Sequence, residues 1–120
     1  MKYTLSESIP EVGVVAGLTL DAEPGEGFVG AIQALTVARL AQGGWKERLG
    51  AKMVKRMRPL RFAEELASQW NQRQEERARA FYRQGLDTLA RGAMARTFVR
   101  PGTCADAEQQ AINLGIVSRG

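Results

Sequence analysis

The sequence predicts a mainly α-helical domain of about three helices, one of them long, with an extended N-terminal arm and a C-terminal extension. Three observations carry that expectation. Apolar residues recur at helical spacing from Phe28 to Met94. Within that span the turn-forming Gly43-Gly44, Pro59 and Gly85 stand at only a few places. Ahead of it, Val12, Val14, Val15, Leu18 and Leu20 form a β-leaning run broken by Gly13 and Gly17. The expected division is an arm over 1–27, a helical domain over 28–96 and an extension over 97–120.

Within the arm, Tyr3 and Leu5 offer a second short strand, so the segment can close at best a β-hairpin, which is marginal alone in water. Asp21-Ala22-Glu23-Pro24-Gly25 ends it as a turn. A free arm of this kind can also add a strand to a neighbouring sheet.

The first helix is expected from Gly27 to Gln42, opened by Pro24 and Glu26 and stopped by Gly43-Gly44. Phe28, Val29, Ile32, Leu35, Val37 and Leu40 cover most of its circumference. Only Gln33, Thr36 and Arg39 remain as a narrow wet stripe, so this is the core helix. A second helix follows from Trp45 to Arg58, ended by Pro59. Trp45, Leu49, Met53 and Met57 recur every four residues and are read as its packed face.

The third helix is the long one, from about Leu60 to Arg91 or Arg96. Phe62, Leu66 and Trp70 form one apolar stripe, and Phe81, Tyr82, Leu86, Leu89 and Met94 another. The polar stretch Asn71–Arg77 separates them. Glu75 to Arg79 and Asp87 to Arg91 are spaced as i,i+4 ion pairs. Some 30 residues at 1.5 Å each would reach about 45 Å, so the helix either projects or bends near Asn71 or Gly85. In the tail, Arg100-Pro101-Gly102 is a turn. Thr103-x-x-Asp106 resembles a capping box opening a short helix to about Asn113, and Gly115 closes it.

Composition narrows the chemistry. At 120 residues, 44% hydrophobic and 25% charged, the chain is the size of one small domain. It has no histidine and one cysteine, Cys104. That removes Ser-His-Asp and Cys-His nucleophiles, HExxH zinc sites and any CxxC motif. Gly25-Glu26-Gly27-Phe28-Val29-Gly30 matches G-x-G-x-x-G. However, Glu23 and Glu26 would repel a phosphate and no further strands supply a parallel sheet, so a glycine-rich turn is the better reading. Glu64-Glu65 and Glu75-Glu76 share a helical face among arginines and read as an ion-pair surface. Cys104 reads as a small buried apolar residue. No enzyme activity, cofactor or metal site is expected.

Charge is the strongest functional signal. The chain carries 17 basic and 13 acidic residues, and the excess sits in one segment. Residues 45–61 hold Lys46, Arg48, Lys52, Lys55, Arg56, Arg58 and Arg61 against Glu47 alone. Such a helix suits an acidic protein surface, or the phosphates of a nucleic acid. A membrane partner is not expected, because the most apolar stretch, Phe28 to Ala41, is too short to span ~30 Å of hydrocarbon. A single thiol and no export signal suggest the cytoplasm, or a virion assembled there.

The functional expectation is a non-enzymatic assembly protein of a multi-subunit, oligomeric complex. A virion component such as a head–tail connector or minor capsid-associated protein is the favoured class, docking through its arms, the apolar Ile116-Val117 end and the basic helix. The alternative is a small basic protein that binds nucleic acid through Trp45–Arg61.

Overall fold

The computed structural model describes residues 1–120. Strand β1 (Lys2–Leu5) leads into a 3-10 turn (Pro10–Val12) and strand β2 (Thr19–Asp21). Four helices follow: α1 (Gly27–Ala41), α2 (Trp45–Arg56), α3 (Pro59–Arg83) and α4 (Asp87–Met94). The chain ends with helix α5 (Cys104–Asn113) and strand β3 (Val117–Arg119). The mainly helical class and the short β-hairpin are as expected. No helix is long and apolar enough to cross a membrane.

The ends of the chain differ most from expectation. β1 pairs antiparallel with β2, Tyr3 opposite Leu20, and on its other edge with β3, Leu5 opposite Val117. The arm and the tail therefore meet in one three-stranded sheet of order β2-β1-β3. Tyr3, Leu5, Val14, Ile116 and Val117 are buried together with Phe28, Ile32, Phe62 and Trp70 in one core. Both ends of the chain thus pack into its own core. The physical reason is the pleat: alternate side chains of a short sheet face one side, and the helices supply the apolar surface that a lone hairpin lacks.

A half-buried carboxylate joins these layers. Glu108 of α5 accepts from the backbone N–H of Phe28 at 2.8 Å and from the Tyr3 hydroxyl at 3.1 Å. Arg119 of β3 lies 3.8 Å from its other oxygen. Glu26, which the sequence suggests as the opener of α1, makes no side-chain cap. Its carboxylate accepts from Glu23 instead. The negative charge at the positive end of α1 thus comes from 80 residues away.

The long helix breaks at Gly85, which sits at φ +75°, a conformation that costs glycine little. α4 then folds back on α3 through Ala78, Ala90 and Ala93 with Phe81 beside them. Asn71–Arg77 is no solvated spacer. Asn71 donates to the Phe98 carbonyl at 2.8 Å and accepts from the Phe98 N–H at 2.7 Å. Arg73 lies over the Trp70 ring and pairs with Glu11 at 3.1 Å. Arg96 also lies over Trp70, donates to the Leu114 carbonyl and pairs with Glu7. The polar stretch therefore fastens the α4–α5 connection and the arm to the body. The expected local pairs Glu75–Arg79 and Asp87–Arg91 do not form; exposed i,i+4 pairs gain too little to order two long side chains. Thr103 caps α5 as expected, accepting from Asp106 at 3.0 Å.

Burial, together with the Glu108 hydrogen bond and charge, holds the Tyr3 phenol above its usual pKa of 10.0, against the opposing charge of Arg119. The unfolded chain therefore loses this proton first as pH rises. The stabilisation is complete below pH 10 and disappears as pH climbs through the raised value. Tyr3→Phe should cost about 1–3 kcal/mol at neutral pH, the worth of a hydrogen bond to a charged group. In urea denaturation the variant's deficit should begin to shrink above pH ~10 and close as pH passes the raised value; a constant offset would contradict this role for Tyr3.

Candidate functional site

The basic helix is where the structure departs most usefully from the sequence. The three residues Gln42-Gly43-Gly44 connect the helices, so α2 folds back antiparallel on α1. What lets the helices approach is size. Ala51 is buried, and Gly50 and Val54 are half-buried; a Cβ on Gly50 would sit 3.7 Å from Leu40. Gln33, expected on the wet stripe of α1, is buried and donates from Nε2 to the carbonyls of Val54 at 2.9 Å and Met57 at 2.8 Å. Both carbonyls lie at the C-terminal end of α2, where the Val54 carbonyl also accepts from the Met57 N–H, and the buried amide adds a donor to each. Thr36 is also buried, donating back to the Ile32 carbonyl. The expected wet stripe is thus mostly an interior polar seam.

Placing the small residues inward turns the apolar row outward. Trp45, Leu49 and Met53, read from the sequence as the packed face, are 64%, 51% and 70% exposed. Only Met57 of that row packs against the core. Helical spacing explains the geometry: Ala51 and Val54 lie on the opposite side of the helix from Trp45 and Leu49. Hydrophobic periodicity marked the stripe, but close helix contact selected the small residues.

All seven predicted binding cations, Lys46, Arg48, Lys52, Lys55, Arg56, Arg58 and Arg61, are exposed. Arg61 alone has a carboxylate partner, Glu65 at 2.9 Å, and it belongs to α3. Arg58 lies in the extended connection between the helices. The other five stand on α2. On the helical wheel Arg48, Lys52 and Lys55 form a strip along one side of Trp45, Leu49 and Met53. Lys46 borders the other side, 5.6 Å from the Trp45 ring centre. Trp45, Arg48, Leu49 and Lys52 enclose a shallow groove of about 260 Å³. One wall is apolar and the other cationic.

A second apolar surface lies at the α3–α4 corner. Tyr82, Leu86, Leu89 and Met94 are each between 41% and 53% exposed. The sequence marked this stripe without showing that alanines, not these residues, make the helix contact.

The remaining sequence candidates take ordinary places. Glu64 pairs with Arg100 at 3.0 Å, and Glu65 with Arg61, beside Glu75 and Arg79 in an open polar groove of about 810 Å³. Cys104 is half-buried against the core, and burial raises its thiol pKa. The raised value keeps it in the poorly nucleophilic thiol form. Gly25, in the turn before α1, and Gly27, its first residue, adopt positive φ, and the helix N-terminus is already occupied by Glu108. No known protein family, curated protein or solved structure matches this chain.

The inside-out reading of α2 is testable by stability alone. Leu49→Gln should change the unfolding free energy by less than about 0.5 kcal/mol, as for an exposed site. Ala51→Asp should cost more than about 3 kcal/mol by placing a charge in the α1–α2 contact. Urea denaturation of both variants checks this, and the reverse ranking would restore Trp45-Leu49-Met53 as the packed face.

Proposed function

We propose that this chain is a non-enzymatic assembly subunit that docks onto other proteins through the exposed face of α2. It would act in the cytoplasm or in a particle assembled there. The observation that carries this reading is the exposed Trp45-Leu49-Met53 row, lying beside cations that have no carboxylate partner of their own. Exposed tryptophan and methionine beside charge are typical of contact surfaces. The α3–α4 corner offers a second apolar surface, as a subunit with more than one neighbour requires. The narrower reading, a virion component such as a head–tail connector or minor capsid-associated protein, rests on small size, basicity and ordered arms.

A nucleic-acid partner is the second reading, favoured by the five cations of α2. It uses the charge and leaves the Leu49 and Met53 side chains without a role, since phosphate contacts need only cations.

A photo-cross-linking residue at position 49 separates the two in the cells or particle that contain the protein. The expected product is a covalent adduct to protein that disappears when Lys52, Lys55 and Arg56 are replaced by glutamine. Gln preserves helix propensity, and these positions lie off the packed side of α2, so the fold should survive. Adducts to nucleic acid alone would favour the second reading, and no adduct would remove α2 as a contact surface.

A further inference from the structure

The docking face of α2 has a chemistry specific enough to describe its occupant. We infer that it receives an acidic amphipathic helix, one whose apolar row is edged by Asp or Glu; this rests on the assembly reading above. Three features point there. The first is shape: Trp45, Leu49 and Met53 stand at i, i+4 and i+8 on a helix about 18 Å long. A second helix laid alongside presents side chains at the same spacing.

The second feature is the groove. Trp45, Arg48, Leu49 and Lys52 border an open depression of about 260 Å³, with room for one bulky apolar side chain. A carboxylate one turn away along the occupant would reach Arg48 or Lys52. A flat bilayer surface has no side chain to seat in that notch, and a duplex backbone has none that is apolar.

The third feature is charge complementarity. Arg48, Lys52 and Lys55 edge the row on one side and Lys46 on the other, and none of them has a carboxylate partner within this chain. Two copies of α2 packed face to face would bring these cations together, so a symmetric self-pairing is opposed. An acidic occupant neutralises them, and its approach is accelerated by their field.

The test uses the full chain labelled with 5-fluorotryptophan, in which the exposed Trp45 and the buried Trp70 report separately by fluorine NMR. The probes are a designed amphipathic peptide with a Leu row edged by Glu, its counterpart with every Glu changed to Gln, a random-sequence 20-base-pair DNA duplex, and vesicles containing one third anionic lipid. The inference expects the Glu peptide to shift Trp45 and leave Trp70 unmoved. Its affinity should exceed that of the Gln peptide by tenfold or more at low salt. The Lys52/Lys55/Arg56→Gln variant should erase most of that difference, and a Leu49→Gln variant should weaken both peptides. Equal binding of the two peptides would overturn the acidic occupant while leaving protein docking in place. A Trp45 shift with duplex or vesicles and not with either peptide would overturn both, as would silence with every probe.

Discussion

One carboxylate holds the architecture together. Glu108 lies where the N-terminal strand, the N-terminus of α1, helix α5 and the last strand converge, and it bonds or pairs with three of them at once. Without it, Tyr3 would bury an unpaired hydroxyl and α1 would begin with an unsatisfied amide, each costing about 1–3 kcal/mol. The same junction sits beside the sheet of order β2-β1-β3. Tyr3 packs against Phe28 at 5.6 Å between ring centres, and β1 lies in the middle of the sheet between β2 and the C-terminal β3. The helices then have a floor to pack on.

That closure determines which surfaces remain for partners. The arm and the tail are spent inside the molecule, and so are the apolar faces of α1 and the first half of α3. α2 stands apart from this economy. Its buried contact is narrow, built from Gly50, Ala51 and Val54, and its C-terminal carbonyls are held by one amide, Gln33. A narrow contact leaves most of the circumference free, and the sequence fills it with an apolar row and five cations. A tight, glycine-linked helix pair is thus the device that displays the proposed docking face.

Much of the helical scaffold is legible in the residues. Pro59 ends one helix and begins the next, Gly85 breaks the long one, and Thr103 with Asp106 starts the last. What the sequence conceals is direction. Trp45-Leu49-Met53 has the period of a buried stripe, and nothing local says that Gly50 and Ala51 form the closer contact. Gln33 looks like a solvent residue until α2 presents it with two carbonyls. At the ends, Tyr3-x-Leu5 is legible as a short strand, but Val117-Ser118-Arg119 is too short to signal one and becomes a strand only by pairing with β1. The seven basic residues are legible in the sequence, but the exposure of the apolar row beside them required the fold.

The central claim is that the chain ends are core and that α2 is the element left free. Native-state amide hydrogen exchange tests it most directly. If the claim holds, the sheet amides of Leu5 and its β3 partners exchange only through global opening, at the rate of the Ile32 amide in α1. The α2 amides exchange faster, through local opening. Fraying of β1 and β3 at the rate of free termini, with α1 still protected, would contradict it and return both ends to the role of docking arms.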